Sequence, residues 1–499
     1  MQTWECACLI GYSAVVGLLS LYGLHRYHLL RLYRRHRDEA VLPLARFVEL
    51  PRVTVQLPLY NEYHVAERLL EAVAAIDYPR DRLQVQVLDD SEDETQEVAR
   101  ATVARLAASG LDVEYLHRQE REGFKAGALH AGLSRASGEL ILILDADFVP
   151  QPEVLLQAVH YFTDPRVGMV QMRWEHLNRR YSLLTRVQAI LLDGHFVVEH
   201  TARSRSGRFF NFNGTAGIWR RQAIAAAGGW QHDTLTEDLD LSYRAQLAGW
   251  VFVFLPDVAV PGELPVDINA FKCQQQRWTK GAVQTARKLL PRIWRSSHPL
   301  RVKVEASFHL TTNACYVLML LMALLTLPVV TVRSHLGWER LLLIDLPLFS
   351  CATLTMCAYY AASQRAVLPD WRGQLKYLPL LMAVGLSLCL NNTRAVVEGC
   401  LGHRSPFERT PKHGVTGGDR HRRRPWRYRG RRGALTLGEL AMAAYFWRAL
   451  DSAWSAGLYA GIPFLLLFLA GFLYTGTVSV VQPWLQPRAG RRAALQPGC

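Results

Sequence analysis

Leu140-Ile141-Leu142-Ile143-Leu144 runs straight into Asp145-Ala146-Asp147-Phe148-Val149-Pro150. A short unbroken apolar run of this kind is the pattern of a strand covered on both faces, and the carboxylates mark where it ends. Three more β-rich runs lie upstream, at Val53-Thr54-Val55-Gln56-Leu57, Gln84-Val85-Gln86-Val87-Leu88 and Val113-Glu114-Tyr115-Leu116. Helical patterns separate them, over Val65 to Ala75, Thr95 to Ala108 and Gly127 to Ala136. Strand alternating with helix predicts an α/β fold with a parallel sheet and crossover helices. Ligands of such sheets bind beyond the carboxyl ends of the strands.

Polar residues collect at those ends: Asn61-Glu62 after the first run, Asp89-Asp90 after the second, Asp145 and Asp147 after the fourth. One acidic pair is commonplace as a cap or solvated loop, but three gathered at one edge repel each other unless a cation is supplied. Oxygen-only ligands suit Mg²⁺ or Mn²⁺, an ion that keeps waters and bridges a diphosphate. Lys125, in Gly123-Phe124-Lys125-Ala126-Gly127, sits at a helix start, either as an exposed lysine or as a cationic contact to phosphate. Further on, Thr236-Glu237-Asp238 precedes a helical Leu239 to Leu247, where Asp238 is a capping carboxylate or something more. Gln274, Arg277 and Trp278 share one face of a helix at i, i+3 and i+4. That face suits a sugar, with hydrogen bonds for hydroxyls, charge for phosphate and an indole for stacking, and equally suits a membrane surface. Val283, about one and a half turns on, falls on another face and is expected to tolerate alanine.

Half of the 499 residues are hydrophobic and 20% are charged, as in a protein part soluble and part membrane-embedded. Apolar runs at about 8–24, 308–331, 341–363 and 457–481 reach the ~20 residues of a spanning helix. The run from Leu375 is shorter, ending at Asn391-Asn392-Thr393-Arg394, and 437–450 is short and more polar. Arg31, Arg34, Arg35 and Arg37 follow the first run instead of preceding it, which reads as an uncleaved helix with its C-terminal end in the cytoplasm and not as a signal peptide. The net charge of +14 sits largely there and in the arginines between 398 and 435. It reads as a membrane-facing belt, and no aromatic-and-basic motif for nucleic acid appears. Three full crossings between 308 and 397 would put the basic 398–435 loop outside, so one of these runs is expected not to cross. The nine cysteines form no C-x-x-C pairs, which argues against a zinc site or disulfide framework. The division expected is 1–43, a helix and its basic flank; 44–300, a cytoplasmic domain; 301–397, spanning and interfacial helices; 398–435, the basic loop; and 436–499, a terminal membrane region.

Taken in order, Gln56-Leu57-Pro58-x-Tyr60-Asn61-Glu62, Val87-Leu88-Asp89-Asp90-Ser91, Asp145-Ala146-Asp147, Asn211-Phe212-Asn213-Gly214-Thr215, Thr236-Glu237-Asp238 and Gln274-x-x-Arg277-Trp278 resemble the processive family 2 glycosyltransferases. The likeness is closer to the cellulose-synthase-like A and C groups, which make β-mannan, glucomannan and β-glucan backbones, and to their bacterial relatives. It covers about residues 50 to 290. It implies a GT-A-type, Rossmann-like domain between transmembrane helices, and inverting transfer of hexosyl units to a β-1,4-linked polysaccharide coupled to export. The resemblance implies donor contacts at Glu62, Asp89, Asp90, Lys125 and Asp145, a metal on Asp145 and Asp147, and Asp238 as base. It places the acceptor at Asn213, Glu237, Gln274, Arg277 and Trp278. Phe407-x-x-Thr410-x-Lys412 resembles a gating loop, although Arg409 stands where that family has valine. The partners implied are GDP-mannose or UDP-glucose, a polysaccharide acceptor and membrane lipid, with no protein partner named. Few residues follow the last apolar run, so no PilZ domain is expected. The Ala-, Arg- and Leu-rich composition points to a bacterial inner membrane, or to the Golgi if the source is eukaryotic. The rivals are a non-processive enzyme acting on a lipid and a degenerate transporter or binding protein; retention of every family carboxylate argues against the second.

Overall fold

The computed structural model describes residues 2–336, 342–403, 409–416 and 433–485; Phe407 and the arginines from 420 to 432 lie outside these. The strands are β1 Val53–Leu59, β2 Leu83–Asp89, β3 Asp112–His117, β4 Leu140–Ile143, β5 Val167–His176, β6 Gly217–Arg220 and β7 Val251–Gly262. They form one sheet in the order β3-β2-β1-β4-β6-β5-β7. The expected strands β1 to β4 pair in parallel, so their carboxyl ends share one edge. β6 runs antiparallel between β4 and β5, which makes the sheet mixed. Its four residues are too few for periodicity to reveal.

Helices α2 (Ala66–Ala74), α3 (Thr95–Ala108) and α5 (Val154–Ala158) cover one face of the sheet; α4 (Phe124–Arg135), α8 (Arg221–Ala226) and α9 (Glu237–Leu247) cover the other. Alternation along β4 sends Leu140 and Leu142 into the first layer and Ile141 and Ile143 into the second. On β1 the second face is polar. Thr54 Oγ1 donates to Gln84 at 2.8 Å and Gln56 Nε2 to Gln86 at 3.0 Å, a buried ladder beneath α4. Gly132 lets α4 lie on it, since a Cβ there would stand 2.6 Å from Gln56 Nε2 and 2.9 Å from Leu88 Cδ2. Gly132→Ala is therefore expected to cost about 1–3 kcal/mol by overpacking, read as a lower Tm of the detergent-solubilised protein.

A continuous helix of α6 (Leu183–Asp193), a π-helical segment (Gly194–His200) and α7 (Thr201–Arg205) leads from β5 towards β6. After β7 come α10 (Ile268–Arg295), α11 (Leu300–Thr311), α12 (Ala314–Leu336), α13 (Leu342–Val367), α14 (Trp371–Gln374), α15 (Leu378–Leu401), α16 (Ala434–Ser455) and α17 (Ile462–Leu485), with α1 (Thr3–His36) ahead of the sheet. Among the described residues four segments are long and apolar enough to cross a membrane: Thr3–His36, Ala314–His335, Trp371–Leu401 and Tyr459–Pro483.

The run from Leu375 is longer than its sequence suggests. Asn391 and Asn392 do not end it; they are buried in the middle of α15, where Asn391 Nδ2 donates to the Lys272 carbonyl at 3.0 Å. Both ends of α15 rest on the sheet domain or its helix α10. Tyr377 lies under the Arg186 guanidinium, while Glu398 pairs with Lys280 at 3.0 Å and the Gly399 carbonyl accepts from Arg287 at 2.8 Å. Val283 is buried against Gly399, so it is no tolerant position.

Candidate active site

β1, β2 and β4 deliver their ends to a cleft of about 170 Å³, closed from below by α9 and α10 and from the side by residues 409–412. Glu62, Asp90, Lys125, Asp145, Asp147, Asn213, Glu237, Asp238, Gln274, Arg277, Trp278, Thr410 and Lys412 all line it. Asp89 does not. It is fully buried, accepting from Tyr115 Oη at 2.5 Å and from the Ser91 amide at 2.9 Å, bonds that hold the β2 end in place. Among the described residues the non-glycines with positive φ are Asn61 (53°), Phe124 (50°) and Ala216 (54°), in the loop after β1, at the first residue of α4 and just before β6. Left-handed backbone is costly away from glycine, and here it collects around the cleft.

At one end of the cleft the Arg118 guanidinium grips Asp90 through two bonds of 2.8 and 2.6 Å, and Arg121 lies 3.3 Å over the Tyr60 ring. These two arginines were not singled out from sequence, although both follow β3 directly. In the middle, Lys125 Nζ donates to Asp145 at 2.5 Å and to the Gly214 carbonyl at 2.8 Å, and Lys412 Nζ donates to Asp147 at 2.6 Å. Burial works against both ammonium charges, but the surrounding carboxylates outweigh it and hold each lysine above its ordinary value. Arg409, the residue that departs from the resembled motif, donates to Glu62 at 2.8 Å and to the Asn61 carbonyl. Burial pushes Glu62 up to about 7 despite that arginine. The loop is anchored by Glu263, which accepts from the backbone amides of His413 at 3.0 Å and Gly414 at 2.9 Å. No sequence pattern links Glu263 to residues 150 positions away.

Asp145 and Asp147 present only oxygen, and the chain sets an ammonium group against each. Among the described residues no group of three or more His, Cys, Asp or Glu is gathered to hold an ion. Two carboxylates are an oxygen-only donor set of the kind that suits Mg²⁺ or Mn²⁺.

Asp238 stands at the N-terminus of α9, where its Oδ1 accepts from the Leu239 amide at 2.8 Å. The N-cap itself is Thr236, so Asp238 sits in the first turn and does not cap the helix. Burial, and then the neighbouring Glu237 carboxylate, push Asp238 up to about 7, close to where a general base works best. Gly214 approaches it so closely that a Cβ would lie 3.1 Å from Asp238 Oδ2. On α10, Gln274, Arg277 and Trp278 face the cleft from the side opposite the β4 end.

Residues 51–281 match the family model described as glycosyltransferase like family 2. The chain is 43% identical to glucomannan 4-beta-mannosyltransferase 2 of Arabidopsis thaliana over 251 residues, 49% of this chain and 47% of that one. Over 328 residues it is 37% identical to a probable glucomannan 4-beta-mannosyltransferase 2 of Oryza sativa subsp. japonica, 63% of this chain and 56% of that one. It thus spans about half the length of the curated relatives it matches. Among solved structures, mannosyltransferase PcManGT from Pyrobaculum calidifontis in complex with GDP-Man and Mn²⁺ is similar with a TM-score of 0.50, over 80% of this chain and 99% of that one. At 22% identity the likeness concerns the fold, a GT-A-type mixed sheet.

Proposed function

Since residues 51–281 match the family model of glycosyltransferase like family 2, we propose that the chain is a membrane-embedded hexosyltransferase that extends a β-1,4-linked mannan from GDP-mannose. The observation that carries this reading is the meeting, in one cleft, of Asp238 with the lysine-paired carboxylates Asp145 and Asp147. The names of the plant relatives support mannose over glucose, as does the GDP-Man in the archaeal structure.

The donor's diphosphate lies against Lys125 and Lys412, with Asp90 and Tyr60 towards the base. Asp145 and Asp147 hold a divalent ion which, when bound, offsets the charge on the departing diphosphate. Asp238 accepts the proton of the acceptor hydroxyl as its oxygen attacks the anomeric carbon. The new C–O bond forms as the bond to phosphate breaks, GDP leaves, and an α-linked donor gives a β-linked product by one inversion. Trp278, Gln274 and Arg277 hold the acceptor chain. Of the four candidate spans, Ala314–His335 and Trp371–Leu401 lie between the catalytic domain and residues 409–412, and two crossings return those residues to the side of the cleft they line.

Purified protein given labelled GDP-mannose or UDP-glucose is expected to incorporate mannose alone into insoluble polymer; incorporation of glucose alone would overturn the donor assignment. A second reading, transfer of a single residue to a lipid, is favoured by one observation. A cavity of about 470 Å³ among the membrane helices is lined mainly by apolar side chains such as Leu19, Met319, Met322 and Phe468. Product length separates the two.

Trp278→Ala is expected to cut incorporation into long polymer by about tenfold or more while leaving GDP affinity within about twofold, because the indole touches acceptor and not donor. Leucine should rescue little, since stacking on a pyranose needs a flat face. Polymer of normal length and yield from Trp278→Ala would make the indole a packing residue.

A further inference from the structure

The π-helical segment Gly194–His200 carries a polar chain that the catalytic scheme above leaves unused. π-Helical turns are uncommon and concentrate at functional sites. Gly194 admits α13 against this turn, since a Cβ there would stand 2.6 Å from the Tyr359 ring. Glu199, 5% exposed, is then surrounded by donors from three elements: Tyr359 Oη of α13 at 2.9 Å, Arg203 of α7 at 3.0 Å, and Arg26 of α1. It also faces His195 Nδ1 at 3.3 Å.

From His195 the chain continues to the catalytic cleft. The Asn213 amide nitrogen is 2.9 Å from His195 Nε2, and His200 Nε2 is 2.6 Å from the Asn213 oxygen. Burial keeps both histidines well below their ordinary value, so each ring carries one N–H. In the arrangement that satisfies all three contacts, His195 Nδ1–H donates to the Glu199 carboxylate, Nε2 accepts from the Asn213 NH₂, and the Asn213 oxygen accepts from His200. The backbone amide of Asn213 is fixed as well, donating to Gln171 Oε1 at 3.0 Å. Asn213 lines the cleft, and the next residue, Gly214, touches Asp238 and Lys125. The Asn213 amide and Asp238 thus line the same cleft.

We propose that His195, oriented by Glu199, is a positioning residue that sets the Asn213 amide to receive the hydroxyls of the acceptor's terminal sugar. Because Glu199 is also where Arg26 of α1 and Tyr359 of α13 converge, the acceptor side of the cleft is tied to the membrane helices.

This rests on the mannosyl-transfer reading, and the test separates the two. Full-length protein in detergent is given GDP-mannose and a soluble β-1,4-manno-oligosaccharide, and the KM for each is measured. For His195→Ala the acceptor KM is expected to rise about tenfold, the worth of one hydrogen bond, with the GDP-mannose KM within about twofold of wild type. His195→Gln, whose amide oxygen can accept from Asn213, should recover most of the loss. A merely structural role would move both KM values together and gain nothing from glutamine. If His195→Ala does not fold, Asn213→Asp removes the same donor from the other side while still accepting from His200, and the same split is expected. Equal loss for donor and acceptor, or an unchanged acceptor KM, overturns the inference while leaving the activity standing. No mannose transfer by wild type overturns both.

Discussion

Asp238→Asn is expected to lower polymer synthesis by ~10²- to 10⁴-fold, the usual worth of a positioned general base, with GDP binding unchanged within about twofold. Asparagine keeps the shape and can still accept from the Leu239 amide, so the start of α9 is retained. What is lost is the ability to take a proton. The pH profile gives an independent reading of the same group. Burial and the Glu237 carboxylate hold Asp238 at about 7, so it is protonated and idle below that pH and an available base above it. Wild-type kcat/KM should therefore rise with pH through an acid limb near 7, and the residual activity of Asp238→Asn should lack that limb. Normal turnover in the variant would remove Asp238 from this role.

Chelation is expected to be as damaging. With excess EDTA, synthesis should fall by about 10²-fold or more, and Mg²⁺ or Mn²⁺ should restore it. The reasoning is electrostatic: the two lysines that now neutralise Asp145 and Asp147 are the cations a donor diphosphate would attract, and if they turn to phosphate the carboxylates need another partner. Asp147→Asn should reproduce the loss, and added metal should not repair it. Full activity in EDTA would show that the lysines alone carry the diphosphate charge.

Much of this site was legible in the sequence because its carboxylates end strands, and strand ends are local features. Asp90, Asp145 and Asp147 follow apolar runs whose observed strands begin and end within one or two residues of the expected limits. What was not legible is what depends on partners distant in the chain. Asp89 and Asp90 are neighbours with the same side chain, yet Tyr115 draws the first inward and Arg118 holds the second at the cleft. Glu263 gains its meaning from the amides of His413 and Gly414, and Arg409 from Glu62. The turn of Gly194–His200 has an ordinary helical composition; only its ladder of hydrogen bonds makes it π-helical. α15 extends past its apolar run because a buried asparagine satisfied by a neighbouring helix looks, in one dimension, like the end of such a run.

The proposed β-1,4-linked mannan is tested most directly by enzymatic digestion of the product made from labelled GDP-mannose by the purified protein. An endo-β-1,4-mannanase is expected to convert the insoluble label into mannobiose and mannotriose while a cellulase leaves it intact, and Asp238→Asn is expected to yield no such material. Label that stays insoluble to mannanase, or that is extracted whole as a glycolipid carrying one mannose, would contradict it.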